Sequence, residues 1–363
     1  MTLSPRPWVA ALDPYVPGRA AGSEDGSLAS NELAMGPSPA VHAAIAQAAA
    51  RAHRYPSPLA DEVRAVVASE LGIDADNILV GNGSDELIYL LVIAYAATGG
   101  RIVCADPPYR MHDIVPRALG CEVTRVPLRD WIHDLPAMAN VAADLAFVCN
   151  PHNPSGTAVT HAEIARFAAS ARAELIVVDE AYIDFADDRR STTAVDLVSG
   201  GRVVVMRTFS KLLGLAGLRI GYLVGPREVV ATLRKVRPPF SVNSIAQSAA
   251  VAALTDSAHR RRAREETIAA RAATVELFET AGYRTVPSQA NFVLVLAADP
   301  DALAAALAVG GVSVRPGRSL GVAGAVRVTV PSQAGLALLE RAVHSLDASR
   351  LLGEVKELTS DAG

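Results

Sequence analysis

A chain of 363 residues is long enough for two packed units, each with its own core. Half of the residues are apolar and 20% are charged, the balance of a globular enzyme rather than of a disordered or fibrous chain. With 34 Lys and Arg against 38 Asp and Glu, the net charge of -4 supplies no global positive field for nucleic acid or an anionic membrane.

The opening, MTLSPRPWVAALDPYVPG, is broken by Pro5, Pro7, Pro14 and Pro17 and carries Asp13 where a signal peptide needs an apolar run. Residues 1–35 therefore read as an irregular arm of a cytoplasmic protein. No uniformly apolar stretch of about 18 to 20 residues with membrane-span character interrupts the chain. Cys104, Cys121 and Cys149 are odd in number and lack the short paired spacings of a metal site; Cys104 and Cys149 sit in apolar, strand-like runs, as buried reduced thiols do.

From residue 36 to about 250, short apolar runs alternate with helical patterns. Helices are expected after Pro39, from near Pro58 to Gly72, from Ser84 and over THAEIARFAASA. NILVG, RIVCADP, CEVTRVPL, DLAFVCNP, ELIVVDEAY and GRVVVMRTF read as strands. Val-rich strands separated by helices imply a mostly parallel sheet covered on both faces, with ligands beyond the carboxyl ends of its strands. Residues 251–363 differ: helical sequence continues to about 280, with Arg260, Arg261, Arg262 and Arg264 beside Glu265 and Glu266 as a solvated face. Short strands and helices then alternate, ending in a helix near 333–348, as in a compact α+β domain.

Four segments at strand ends carry the polar chemistry. VGNGSDE, residues 80–86, places glycines before a helix start, where free N–H groups and the helix dipole attract phosphate; the third glycine of a dinucleotide fingerprint is absent. VCNPHNPSG, residues 148–156, is a proline-stiffened loop offering Asn150 and Asn153. In LIVVDEAYIDF, Asp179 follows four apolar residues and needs a cation or donor, such as a protonated ring nitrogen; a Mg-binding strand end is the rival reading. In RTFSKLLGLAGLRIGY, Lys211 can condense with an aldehyde and Arg219 can hold a phosphate, and the spacing does not fit a Walker A loop.

These segments, with SNE at Ser30, RYP at Arg54, QANF at Gln289, VRPG at Arg315 and VRVTV at Val326, resemble the fold-type I aminotransferases. The match is strongest with the histidinol-phosphate and aromatic amino acid branch, and it covers nearly the whole chain. The resemblance implies an α/β fold, with a large domain built on a seven-stranded, mostly parallel sheet and a smaller α+β domain. It implies a pyridoxal 5'-phosphate enzyme, forming a homodimer, that exchanges amino groups between an amino acid and a 2-oxo acid such as 2-oxoglutarate.

On the same resemblance, Lys211 is the lysine that holds the cofactor and shuttles the proton, and Asp179 pairs with the pyridine nitrogen. Tyr182 and Asn153 bind the phenolic oxygen, and Tyr109 stacks on the ring. Ser84, Asp85, Thr208, Ser210 and Arg219 hold the phosphate, with Tyr55 reaching that of the neighbouring subunit. Arg327 clamps the substrate α-carboxylate with Asn31 nearby, and Arg315 is similar to an arginine that meets a distal phosphate.

Substrate choice is where the wording departs. The chain reads SNELAMGPSP where histidinol-phosphate members read SNENPYGPSP, and His112 replaces the second aromatic of P-x-Y-x-x-Y, as a substrate contact or a surface group. PFSVNSIAQSAA and YVPGR are closer to the aromatic enzymes, and GNGSDEL to the histidinol-phosphate enzymes. Carbon-sulfur lyases and decarboxylases of the same fold share the lysine and aspartate, and a non-catalytic interaction protein is a further alternative.

Overall fold

The computed structural model describes residues 3–14, 18, 21–187 and 192–346; Tyr15, Val16, Pro17 and Arg19 of the YVPGR opening lie outside them. Among the described residues, twelve strands fall into two sheets. β1 is Ser27–Leu28, β2 Ile78–Gly81, β3 Arg101–Asp106, β4 Glu122–Pro127, β5 Ala143–Cys149 and β6 Ala173–Asp179. β7 is Val203–Thr208, β8 Gly221–Val224, β9 Arg284–Val286, β10 Phe292–Leu296, β11 Ser313–Pro316 and β12 Ala325–Thr329.

The larger sheet has the order β2-β8-β7-β6-β5-β3-β4. β3, β4, β5, β6 and β7 pair in parallel, and β8 runs against both β2 and β7. The protein is thus α/β with a mostly parallel seven-stranded sheet, as the sequence leads one to expect. The strands read as unbroken apolar runs because both faces are buried. Leu145, Phe147, Leu175 and Val177 enter one core, and Ala146, Val148, Ile176 and Val178 enter the other.

Helix ends follow local rules. Thr160 and Glu163 form a reciprocal capping box at the helix 161–170, and Gly72, in the left-handed region at φ 66°, ends the helix 61–71. The helical stretch expected up to residue 280 is two helices, divided at Asp256, whose carboxylate caps the second by accepting from His259 N–H. In that second helix Arg264 is not solvated: it donates to the carbonyls of Asp184 and Ala186.

The smaller sheet has the order β1-β11-β12-β10-β9, over a core that includes Phe278, Leu303, Leu307 and Leu339. The N-terminal segment is part of this sheet, since β1 pairs in parallel with β11.

β8 begins at a close approach that only glycine allows. A Cβ on Gly221 would lie 2.8 Å from Ser84 N and 2.9 Å from Arg207 O, both backbone atoms that no rotamer change can clear. Gly221→Ala is expected to lower the unfolding free energy by about 1–3 kcal/mol, seen as an earlier urea midpoint at unchanged slope. An unmoved midpoint would mean the two backbones can part without cost.

Candidate active site

A cavity of about 540 Å³ opens beyond the carboxyl ends of the parallel strands, where the larger sheet meets β12 and the segment 29–32. β6 and the turn after it bring Asp179 and Tyr182 to this cavity; the chain between β7 and β8 brings Ser210, Lys211 and Arg219, with Thr208 at the end of β7. Ser84 and Asp85 come from the start of the helix 83–95, Tyr109 and Asn153 from loops after β3 and β5, Arg327 from β12, and Asn31 from the arm.

Asp179 is 2% exposed at the end of β6. Its Oδ1 accepts from Ala181 N–H at 3.1 Å, and its Oδ2 lies 3.1 Å from His112 Nε2, out of line for a straight hydrogen bond. His112 is neither at the surface nor on the cavity wall: it is buried, stacked on Phe147 at 4.5 Å, behind the carboxylate. The neighbouring Glu180 turns the other way. It is buried against Arg207 at 2.9 Å and also accepts from Thr193 Oγ1 and Ala194 N–H. The acidic pair therefore does not converge on one point, and among the described residues no group of three or more His, Cys, Asp or Glu is placed to hold a metal ion.

The amine of Lys211 donates to the carbonyls of Asn31 at 3.0 Å and Ser30 at 3.4 Å. Burial pushes its pKa down from 10.5 to about 8, helped by the nearby charge of Arg327 and opposed by Glu32 and Asp85. More of the amine is then neutral near pH 7 than in a solvated lysine.

At the opposite end of the cavity, the helix 83–95 starts with backbone N–H groups that have no intrahelical partner. Gly83 lets the Arg219 guanidinium close on this start, since a Cβ there would lie 2.8 Å from Nη2. Asp85 accepts from Arg219 at 3.2 Å and from the Tyr109 hydroxyl at 2.9 Å. Thr208 and Ser210 face the same cavity and bond to each other at 3.0 Å. Together these groups suit an anion.

A hydrogen-bond chain joins the two sheets across the cavity. Arg327 Nη1 donates to Asn153 Oδ1 at 2.7 Å and Nη2 donates to Ala29 O at 2.8 Å. The side-chain amides of Asn153 and Asn31 both donate to the Tyr182 hydroxyl, at 3.2 and 3.1 Å. Burial raises the Tyr182 pKa, so the hydroxyl is held as a neutral phenol. His152, in the loop that carries Asn153, is buried and kept neutral; Nε2 donates to Pro107 O at 3.0 Å and Nδ1 accepts from Ser155 at 2.9 Å.

Two of the expected residues do not line the cavity. Tyr55 is 82% exposed and stacks on Phe240 at 4.6 Å. Arg315 is buried, opposite Arg327 in the β11–β12 register, with Nε donating to Ser319 Oγ at 2.8 Å and Gly18 close to its Nη1. Conversely, Glu32, Arg110, Met111, Cys149 and Leu320 line the cavity without having been singled out for it. Cys149 had a signal, since it ends a strand beside Asp179 in register; Arg110 and Met111 had only their place after Tyr109.

Fold and cavity together define a transferase of amino groups. The chain belongs to the class I and II aminotransferase family, whose model matches residues 25–346. It is 38% identical over 337 residues to the histidinol-phosphate aminotransferase of Moorella thermoacetica, covering 89% of this chain and 87% of that one. It is 39% identical over 332 residues to the aromatic amino acid aminotransferase of Mycobacteroides abscessus, covering 90% and 94%. Among solved structures, the histidinol-phosphate aminotransferase of Sinorhizobium meliloti in complex with pyridoxal-5'-phosphate superposes with a TM-score of 0.85 at 27% identity, covering 93% of this chain and 97% of that one.

The depressed pKa of Lys211 has a direct readout. The rate at which the ligand-free protein condenses with an added aldehyde, trapped by borohydride and mapped to Lys211, should rise with pH and level off above about 8. A rate still climbing at pH 10 would place the amine in an ordinary solvated setting.

Proposed function

We propose that the protein is a pyridoxal-phosphate-dependent aminotransferase acting between histidinol phosphate or an aromatic amino acid and a 2-oxo acid such as 2-oxoglutarate. One observation carries the reading: a buried amine of lowered pKa and a buried carboxylate face the same cavity, with an anion-accepting helix start at one end. Relatives bearing both names support the two donor classes.

The donor set suits the cofactor. Ser84, Asp85, Thr208, Ser210 and Arg219 would hold its phosphate, Asp179 its protonated ring nitrogen, Tyr182 and Asn153 its phenolic oxygen, and Tyr109 a ring face. When bound, pyridoxal phosphate supplies an aldehyde carbon for the amine and an electron sink for the pair left when the substrate's Cα–H bond breaks. His112 lies behind Asp179, with Nε2 3.1 Å from Oδ2.

Lys211 would hold the cofactor and, with its amine free, would take the substrate's α-proton; its lowered pKa favours the neutral amine this needs. Arg327 would clamp the α-carboxylate of an amino acid or 2-oxo acid as a rigid fork, its plane set by Asn153 and the Ala29 carbonyl, with Asn31 beside it. A 2-oxo acid then uses the same residues in the reverse direction. In this reading residues 36–250 bind the cofactor, residues 251–363 carry Arg327, and residues 1–35 form the arm that brings Asn31 to the cavity.

The working unit in this reading is a cytoplasmic homodimer. The three buried free cysteines suit a reducing compartment, and among the described residues no helix is long and apolar enough to cross a membrane. The exposed Tyr55–Phe240 stack supports the dimer, because it offers an aromatic hydroxyl to a neighbouring subunit.

Over repeated turnovers, phenylalanine should give its 2-oxo acid and histidinol phosphate the corresponding ketone only when a 2-oxo acid acceptor is present, and K211A should lose both turnover and the visible absorbance of the bound cofactor. Ammonia or carbon dioxide released without acceptor would make the protein a lyase or decarboxylase instead. For the dimer, sedimentation should give twice the chain mass and Y55F should weaken cofactor binding several-fold; a monomer with full cofactor affinity would refute it.

A further inference from the structure

Four consecutive backbone carbonyls of the arm face buried donors. Ala29 O accepts from Arg327 Nη2 and Ser30 O from Lys211 Nζ. Asn31 O accepts from both Lys211 Nζ and Asn291 Nδ2, and Glu32 O from Asn291 Nδ2. Arg327 and Lys211 line the cavity, whereas Asn291 is not on its wall. Asn291 stands one residue before β10, in the QANF segment, 1% exposed and with its own carbonyl accepting from Val330 N–H at 2.9 Å.

The Asn291 side chain is a poor choice for stability alone. Nδ2 lies 3.1 Å from Asn31 O and 3.4 Å from Glu32 O, but the buried Oδ1 accepts no hydrogen bond among the described residues. An unmatched buried acceptor carries a desolvation cost that an apolar side chain does not. What the amide contributes is therefore its donors.

A carbonyl oxygen has two lone pairs, and on Asn31 one meets the Lys211 amine at 3.0 Å and the other meets Asn291. The oxygen is thereby held in place from the smaller sheet, by Asn291 on the carbonyl and by Thr329 Oγ1, which accepts from Asn31 N–H at 2.9 Å. The positive end of the Asn291 N–H dipole also points at the oxygen that the amine uses. It opposes an ammonium more than a neutral amine, since a hydrogen bond to the charged form is what would favour that form.

We infer that Asn291 is a positioning residue for Lys211, fixing the Asn31 carbonyl on which the amine rests and, by sharing that oxygen, favouring the neutral amine that attacks an aldehyde. The inference deepens the aminotransferase reading and rests on it. In that reading Lys211 and Arg327 turn to ligands, and Asn291 is the donor that stays on the arm.

The test follows the ligand-free protein reacting with butanal, a neutral aldehyde that makes no use of the anion-accepting end of the cavity, with borohydride trapping and peptide mapping. The chain has three lysines, Lys211, Lys235 and Lys356, and the exposed Lys235 is the internal reference. In N291L, which keeps the bulk and removes the donors, the Lys211 rate should level off about half a pH unit higher and be about threefold lower near pH 7, with Lys235 unchanged. N291S, whose hydroxyl is one bond shorter than the amide, should shift the same way and serves if the leucine variant does not fold. T329V loosens the same peptide without touching its carbonyl, so it should lower the urea midpoint but move the Lys211 profile less than N291L does.

An unmoved profile in N291L and N291S, a shift to lower pH, or an equal shift in T329V would each overturn the inference and leave the aminotransferase reading standing. If Lys211 of the unaltered protein did not condense at all, both would fall.

Discussion

The structure is organised by one hydrogen-bonded bridge, running from Arg327 on the smaller sheet through Asn153 and Tyr182 to Asn31 on the arm. Each member is buried, so each polar atom left unmatched would cost about 1–3 kcal/mol. That penalty fixes orientation. Arg327 has its fork set by Asn153 and Ala29 O, Asn153 spends its amide on Tyr182, and Asn31 is left with a carbonyl for the Lys211 amine. The left-handed backbone of Asn31, at φ 57°, lets its amide nitrogen meet Thr329 while its carbonyl faces the lysine.

The electrostatics depend on the same enclosure. Burial lowers the pKa of Lys211 and raises that of Tyr182, in each case favouring the neutral form. Several charges are met by partners: Glu180 by Arg207, Asp113 by Arg117 and Arg125, Asp85 by Arg219. The adjacent acids Asp179 and Glu180 illustrate the division, because the last residue of β6 faces the cavity and the next enters a structural ion pair.

Much of this was legible in the sequence, for physical reasons. Val-rich runs followed by polar groups place those groups at strand ends, so Asp179, Thr208 and Asn153 could be located before any coordinates. β8 was not legible, because four residues inside a glycine-rich stretch become a strand only by pairing with β2 and β7. The helix 110–118 contains Pro116, which counts against a helix, and with the helix hidden the burial of His112 was hidden too. Arg315 and Arg327 sit opposite each other on neighbouring strands, and no local pattern says that only one of them lines the cavity.

The reversed direction of β8 has a mechanical consequence. Because Thr208 pairs with Gly221, residues 209–220 form a closed excursion whose two ends are stitched together. Lys211 lies near one root of that excursion and Arg219 near the other, so a ligand gripped by both acts as a brace across a loop that cannot lengthen. Such a brace stiffens the loop in proportion to ligand occupancy, while the stitching preserves its outline when the brace is removed. The outline of that loop is therefore set by backbone pairing, not by what the cavity holds.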